Sequence, residues 1–308
     1  MENMKKNIEP LVSIITVNYN QIAVTMDLLR SLQKISYQNI EITVVDNNSQ
    51  NDNFDLLKKE FPNVLLVKSN INRGFAGGNN LGLHFAKGKY ILFLNNDVVV
   101  TEGFIEPMVH LLESDSKIGM VSPKIRFYYA PDTIQYAGYT PMNKISLRQN
   151  LIGYKQKDTG QFDTTQATYS VHGAAMMVPA QIIKKVGLMA EVYFLYYEEH
   201  DWSFRIKKAG FKVYYQPKSL VFHKESVSTG KNSPLKIYYI TRNRILYARR
   251  NYKGLIFILN ILYLVLIASP KNALLYLLQA RFDLFIALLK GLFWNITHFK
   301  GIHYNPKL

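Results

Sequence analysis

Three short apolar runs in the first hundred residues each stop abruptly at a cluster of polar side chains. Residues 11–17 (LVSIITV) run into Asn18-Tyr19-Asn20, residues 40–45 (IEITVV) into Asp46-Asn47-Asn48-Ser49, and residues 90–94 (YILFL) into Asn95-Asn96-Asp97. Short apolar runs with polar boundaries read as buried parallel strands, and open α/β sheets bind ligands beyond the carboxyl ends of such strands. One Asp after one strand is most often a turn or cap residue. Three strands that discharge polar groups at the same end form a rim. This makes Asp97 a candidate ligand-binding carboxylate, with Tyr19, Asn20, Asp46, Asn48, Asn95 and Asn96 around it.

The segments between the runs predict helices near residues 23–34, 53–61 and 80–86, and a further strand at 64–68. Strand and helix alternating at this spacing imply right-handed crossovers and a parallel sheet. Residues 1–100 therefore read as a nucleotide-binding half and 101–230 as an acceptor half. The second half begins with a helix at 104–113 and a strand at 119–124. Residues 128–166, rich in Tyr, Gln, Thr and Lys, lack a period and read as a mobile or substrate-covering excursion. Regularity returns at 168–178, 193–197, a helix at 201–209 and strands at 212–215 and 220–222.

Four further segments carry candidate chemistry. The loop NRGFAGGNN (residues 72–80) has three glycines, among them Gly74 and Gly78, and ends at an expected helix start at Asn80. Glycine lets backbone approach a ligand closely, and a helix start offers free N–H groups to phosphate. The segment FLYYEEHDW (residues 194–202) sets Glu198, Glu199 and Asp201 against aromatic side chains, with Trp202 and Arg205 following. Carboxylates beside an aromatic wall have raised pKa values, which prepares a general base near neutral pH. At His172-Gly173-Ala174 small residues let an acceptor press against backbone. His223 ends a strand before Ser226, Ser228, Thr229 and Gly230, a hydroxyl-rich loop suited to phosphate, and is a candidate metal or diphosphate contact.

The order of VSIITVNYN, VVDNNS, NRGFAGGNN, LFLNND, HGAAMM, YYEEHDWSFR and RNR (242–244) resembles the inverting, GT-A-fold glycosyltransferases of family 2, in particular the bacterial rhamnosyltransferase-like branch that builds cell-surface polysaccharides. The resemblance covers roughly residues 10–250. It implies an α/β Rossmann-like fold, its sheet mostly parallel with helices on both faces. It also implies that Tyr19 and Asp46 contact the nucleobase and Arg73 and Asn80 the nucleotide. Asn95, Asn96 and Asp97 stand where the family has its D-x-D-type metal motif, with Asn95 and Asn96 suited to ribose. Glu199 aligns with the usual base where the family has Asp, and the choice between Glu199 and Glu198 stays open. His172, Gly173, Ala174, Trp202 and Arg205 then fall on the acceptor side.

The implied reaction moves a sugar from a nucleoside-diphosphate donor, with dTDP-rhamnose as one candidate, to a lipid-linked or polysaccharide acceptor. Mg²⁺ or Mn²⁺ held by Asp97 and His223 would neutralise the leaving diphosphate. The chain has no cysteine, so thiolate ligands and disulfides are excluded, in keeping with a reducing compartment. Residues 1–10 are polar and do not read as a signal peptide.

Of the net charge of +15, +11 lies after residue 230, where twelve Lys and Arg accompany one acid, Asp283. This segment also holds the charge-free stretch 254–270, which Pro270 is expected to cut short of a membrane span. The stretch reads as a helical hairpin or re-entrant pair in the cytoplasmic face of a bacterial membrane. Arg249, Arg250, Lys253 and Lys271 would then meet anionic headgroups. The alternative is a pair of buried core or dimer helices. Basic residues interleaved with Leu, Ile and Phe, without a recognition motif, argue against nucleic acid. Two other functions fit parts of the chain: a nucleotidyltransferase, which should have a Gly-rich basic loop where Asn18-Tyr19-Asn20-Gln21 stands, and a non-catalytic membrane scaffold, which leaves the polar rim unexplained.

Overall fold

Apolar residues of period two in the strands and of helical period between them generate one mixed sheet covered on both faces. A computed structural model of the chain describes residues 9–224, 233–300 and 302–303. The hydroxyl-rich loop Ser226, Ser228, Thr229 and Gly230 lies outside the described residues. The first half runs β1 (Val12–Asn18), α1 (Ile22–Leu32), β2 (Ile40–Asp46), α2 (Phe54–Glu60), β3 (Leu65–Lys68), α3 (Gly74–Leu83) and β4 (Tyr90–Leu94). The second half runs β5 (Val98–Val100), α4 (Glu106–Ser114), β6 (Ile118–Phe127), β7 (Ala130–Tyr136), β8 (Gln166–Ala167), β9 (Ala175–Pro179), α5 (Ala180–Val186), α6 (Glu198–Lys208) and β10 (Lys212–His223).

The sheet order is β3-β2-β1-β4-β9-β6-β10-β5, with β7 paired to β6 and β8 to β10. Strands β3, β2, β1 and β4 are parallel, which brings Asn18 level with Asp46 at one edge. β9 runs antiparallel between β4 and β6. Val12, Ile14 and Leu92 pack under α1, α2 and α4 through Leu28, Leu57 and Met108. Ile15, Ile91 and Phe93 face α3, α5 and α6 through Ala76, Ile183 and Trp202. Each fully buried Leu, Ile or Phe contributes about 1.5–3 kcal/mol.

Several expectations change. The glycine-rich loop 72–80 is mostly helix: α3 begins at Gly74. Gly is a poor helix former, but here close packing on the sheet decides. A Cβ at Gly78 would come within 2.9 Å of Val17 Cγ1, so glycine lets α3 approach β1. Residues 193–197, expected to be regular, are not: a 3₁₀ turn, Glu191–Tyr193, runs into a strained loop. The excursion 128–166 is not loose. β7 pairs with β6, Tyr136 Oη donates to the Ser170 carbonyl at 3.0 Å, and Lys124, 3% exposed, donates to Asp158 at 2.9 Å.

Pro270 does not end the apolar helix. Helices α7 (Pro234–Asn251), α8 (Gly254–Leu262), α9 (Ser269–Leu278) and α10 (Phe282–Thr297) follow, and α8 and α9 are joined by a π-helical stretch, Tyr263–Ala268. A proline lacks its N–H and crowds the carbonyl four residues back. The wider π turn accommodates this, and Ser269 Oγ donates to the Leu264 carbonyl at 2.7 Å. Gly254–Leu278 thus forms one 25-residue helix. Arg249 and Arg250, expected at headgroups, turn inward. Arg249 donates to the Asn295 and His298 carbonyls, and Arg250 donates to Asp201.

Candidate active site

The parallel ladder brings the polar ends of β1, β2 and β4 to one rim, and hydrogen bonds lock its base. Asn18 Oδ1 accepts from Thr25 Oγ1 at 2.7 Å and Asn18 Nδ2 donates to Asp52 at 2.6 Å. Asp52 also accepts from the N–H groups that open α1. Asn96, 8% exposed, donates to Thr25 Oγ1 at 3.1 Å. One of its amide N–H groups is thereby held by the scaffold, while its Oδ1 stays a candidate acceptor for ribose. Tyr19, 42% exposed, projects from the rim near the Asp46–Ser49 turn, where Ser49 N–H donates to Asp46 Oδ1 at 2.9 Å. Asn20 accepts from the Gln50 N–H at 2.8 Å, and Asn48 accepts from the Gln50 amide. Arg73 is exposed at the start of α3, its Nε donating to Ser69 Oγ at 3.1 Å.

Three of the candidates in and after the glycine loop serve packing. Gly74, at φ +66°, lies against Phe194, whose carbonyl accepts from the Phe75 N–H at 2.6 Å. Gly78 faces Val17 of β1. Asn80, 2% exposed, donates to the Met189 carbonyl at 2.9 Å and to Glu191 at 3.0 Å, so it ties α3 to the 3₁₀ turn and does not reach the rim.

Asp97 precedes β5, and the antiparallel β10–β5 register sets His223 opposite Val98. The two side chains consequently meet, with His223 Nε2 3.0 Å from Asp97 Oδ1. His223 Nδ1 lies 2.9 Å from Gln135 Oε1; in the tautomer that donates Nδ1–H to this oxygen, Nε2 presents a lone pair toward the carboxylate. Both facing atoms are buried and lack a hydrogen-bond partner among the described residues. Two lone-pair atoms held this way suit a hard divalent cation, and 3.0 Å separates neighbouring corners of an octahedron with bonds of about 2.1 Å. The histidine's second nitrogen bonded to Gln135 is the usual support of a metal ligand. No cluster of three His, Cys, Asp or Glu occurs among the described residues.

The HGA segment lies beside this pair. Asn95 N–H donates to the Ala174 carbonyl at 2.9 Å, and the rings of His172 and His223 are 5.9 Å apart. His172 Nδ1 accepts from the Ala174 N–H at 3.1 Å, which leaves the proton on Nε2. Burial, then the charges of His223 and His200, push the His172 imidazole down to about 3, so it stays neutral.

Glu199 faces Gly173: a Cβ there would lie 3.9 Å from the Glu199 carboxyl carbon, with Phe75 alongside. Glu199 Oε2 is buried without a hydrogen-bond partner, and His200 Nε2 is 3.7 Å from Oε1. Glu198 points the other way. Its burial, then the charge of Glu199, raises the Glu198 carboxyl well above the usual range.

The rest of the predicted knot is structural. Asp201, wholly buried, accepts from Arg205 Nε at 2.9 Å, Arg250 Nε at 3.1 Å, Asn251 at 3.0 Å and Tyr193 Oη at 3.1 Å. Burial alone would raise its pKa, but Arg205 and Arg250 outweigh this and hold it below the usual range. Arg205 also donates to the Val186 and Leu188 carbonyls, and Trp202, wholly buried, donates to the Gly187 carbonyl at 2.9 Å. None of the three reaches the cleft, which corrects Asp201 as a catalytic group and Trp202 and Arg205 as acceptor contacts. Asp201→Ala is expected to cost about 3–5 kcal/mol, because it leaves buried arginines without their shared carboxylate. Wild-type melting temperature in that variant would refute the structural role. The stabilisation from Asp201 is present above the ordinary carboxylate range and is lost as pH falls through its lowered value.

Asn243 is a site residue that sequence reasoning passed over. Phe194, Tyr196 and Tyr197 have φ of 64°, 68° and 77°, a left-handed geometry that disfavours side chains and persists only under constraint. Asn243 Nδ2 donates to the carbonyls of Tyr193, Leu195 and Tyr196 at 2.9, 2.7 and 2.8 Å. Arg242 Nη2 donates to the Val192 and Tyr193 carbonyls, both at 2.6 Å. These two side chains of α7 fix the loop that aims Glu199. The signal was the polar RNR set inside an otherwise packed helix.

A parallel-stranded rim with a carboxylate–histidine pair on one side and a glutamate on the other defines a GT-A-type fold. The chain belongs to glycosyl transferase family 2, whose pattern matches residues 13–184. It is 34% identical over 106 residues to the Escherichia coli protein UDP-Glc:alpha-D-GlcNAc-diphosphoundecaprenol beta-1,3-glucosyltransferase WfaP, a match spanning 34% of this chain and 42% of that relative. It is 24% identical over 282 residues to the dTDP-rhamnosyl transferase RfbF of Shigella flexneri, covering 85% of this chain and 90% of that one. The mannosyltransferase PcManGT of Pyrobaculum calidifontis, solved with GDP-Man and Mn²⁺, has the same fold. That comparison gives a TM-score of 0.57 at 14% identity, covering 96% of this chain and 77% of the other.

Proposed function

We propose that the protein transfers a sugar, with inversion, from a nucleoside-diphosphate sugar to a lipid-linked acceptor in cell-surface polysaccharide synthesis. The observation that carries this reading is the Asp97–His223 pair set across the HGA segment from Glu199. The exposed Tyr19 ring would stack on the nucleobase beside Asp46, and Arg73 would reach the phosphates. Asp97 and His223 would hold Mg²⁺ or Mn²⁺. When bound, the ion would neutralise charge on the departing diphosphate.

Glu199 would accept the proton of the acceptor hydroxyl as its oxygen bonds to the anomeric carbon and the bond to the diphosphate breaks. A single displacement from the far face inverts that centre and needs no covalent intermediate. Holding the reactants in line supplies much of the acceleration. The names of WfaP and RfbF favour a prenyl-diphosphate-linked acceptor and a UDP- or dTDP-sugar donor. Screening UDP-glucose, dTDP-rhamnose and GDP-mannose for transfer and hydrolysis tests this. Inactivity with all nucleotide sugars, in protein that does not bind nucleotide with Mn²⁺, would sink the reading.

The C-terminal helices supply a membrane surface. Asn260, Leu264 and Ala268 form one buried stripe of the 254–278 helix, while Leu255, Ile258, Leu266 and Leu278 on its other faces are exposed. Phe282, Phe293 and Ile296 continue the apolar surface on α10, with Lys253 and Lys271 exposed beside it. A helix packed along one stripe and apolar elsewhere suits a monotopic position in the cytoplasmic face of the bilayer. High salt should release little protein and detergent much, because apolar burial is not screened. Full-length protein that stays soluble at low salt as a dimer would assign the surface to a second copy instead.

A further inference from the structure

Residues 143–149 form a short bridge between the apolar helix and the base. At one end, Asn260 Nδ2 donates to the carbonyls of Lys144 and Ile145, at 3.0 Å for the latter. At the other, Gln149 Nε2 lies 2.8 Å from His200 Nδ1, next to Glu199. Between them, the Ser146 carbonyl accepts from Arg244 Nε at 2.8 Å, and Tyr197 Oη donates to the Leu147 carbonyl at 3.3 Å. The bridge is built firmly: Asn143 Oδ1 accepts from the Ile145 and Ser146 N–H groups, and Leu147 is buried with Ile245 and Leu264.

This bridge carries more positive charge than the fold uses. Arg244, 7% exposed, donates to the Ser146 carbonyl and contacts Tyr263 of the apolar helix, with no carboxylate partner among the described residues. Arg148, two residues beyond the Ser146 carbonyl that Arg244 holds, is exposed, likewise has no carboxylate partner among the described residues, and its charge disfavours that of Arg244. Burial holds the Arg244 guanidinium below its usual range, and Arg148 adds to this effect while Tyr197 and Tyr263 oppose it. Lys144, also exposed, stands at the rim nearest the apolar helix. Elsewhere in the molecule the cations Arg205, Arg250 and Lys124 are matched by Asp201 and Asp158, and buried Arg242, which also lacks a carboxylate partner among the described residues, is met by Asn243 Oδ1, the Val192 and Tyr193 carbonyls and the Trp294 ring. A buried arginine met by one carbonyl and one hydroxyl, with an exposed arginine near it and no carboxylate for either among the described residues, forms a site that an anion would complete.

We propose that Arg148 and Arg244, with Lys144 at the rim, bind the diphosphate of an acceptor whose lipid chain lies along the exposed face of the 254–278 helix. The proposal rests on the transferase reading above and adds the acceptor's anchor to it. A diphosphate diester carries two negative charges and planar oxygen pairs that guanidinium forks match. The lipid chain leaves toward the apolar surface, and the first sugar points along the bridge toward Glu199. An ordinary headgroup in the plane of the bilayer does not match the burial of Arg244, 7% exposed. A lipid diphosphate reaching inward does.

The test uses full-length protein in neutral detergent micelles with a chelator present, so that the metal-dependent donor site does not compete. Farnesyl diphosphate is the probe, compared with inorganic pyrophosphate and with phosphatidylglycerol vesicles. Losing one charge-assisted hydrogen-bonding group should weaken farnesyl diphosphate binding roughly 10- to 100-fold in Arg148→Ala. Arg148→Lys should recover part of it, and both variants should melt as the wild type does because Arg148 is exposed. Unchanged affinity in Arg148→Ala, or no binding by the wild type, overturns the proposal. So does an equal loss on phosphatidylglycerol vesicles, which would make the anion a bilayer headgroup. Equal transfer by the wild type to an alkyl glycoside and to a farnesyl-diphosphate-linked sugar would overturn it while leaving the transferase reading intact. Tight, Arg148-dependent probe binding without transfer from any nucleotide sugar would keep the anion site and overturn the transferase reading.

Discussion

Glu199→Gln is expected to lower turnover by roughly 10²–10⁴ while leaving nucleotide-sugar affinity unchanged. Glutamine keeps the shape that faces Gly173 and Phe75 and cannot accept a proton. Glu198→Gln is expected to be nearly silent, because burial and then the charge of Glu199 raise the Glu198 carboxyl well above the usual range and favour its neutral form. A protonated carboxyl and an amide are close in size and polarity. Measuring kcat and donor affinity for both variants separates the adjacent residues. If Glu198→Gln loses turnover and Glu199→Gln does not, the assignment within the pair is reversed.

Asp97→Ala should reduce transfer by about 10³ or more, as expected when several kcal/mol of charge stabilisation at a leaving group is lost. The same change should abolish the strengthening of nucleotide binding by Mn²⁺. His223 would keep its bond to Gln135, so the fold should survive. Titrating UDP and dTDP with and without Mn²⁺ reads the binding loss directly. Near-normal turnover in the alanine variant would remove Asp97 from the site, whatever the metal requirement proved to be.

The donor side of this arrangement was legible because strand ends are local features. A run such as YILFL followed by NND fixes both the strand and the place where its polar residues emerge, and the parallel register does the rest. The acceptor side depends on long-range packing, and there the reading faltered. Glu198, Asp201, Trp202 and Arg205 follow one helical face, at offsets of three, four and seven. That face packs inward while Glu199 lies off it. Applying that period to FLYYEEHDW would have separated Glu199 from its structural neighbours. Nothing local in NRGFAGGNN indicated that glycines would be helical, because the reason lies in Val17 and Phe194. Similarly, Pro270 predicted a break because the π turn that absorbs it has no sequence mark of its own.

The anchoring of the Phe194–Tyr197 loop by Asn243 has a consequence for the order in which the enzyme becomes competent. The three carbonyl partners lie 50, 48 and 47 residues before Asn243 in the chain. Synthesis proceeds from the N-terminus, so α7 leaves the ribosome after every strand of the sheet. The nucleotide-binding rim is therefore complete on the growing chain before the glutamate is aimed. Only when α7 has emerged does the loop acquire its left-handed turns. A nascent chain would hold its donor without being able to spend it, and chemistry would begin only as the helices that follow α7 are being made.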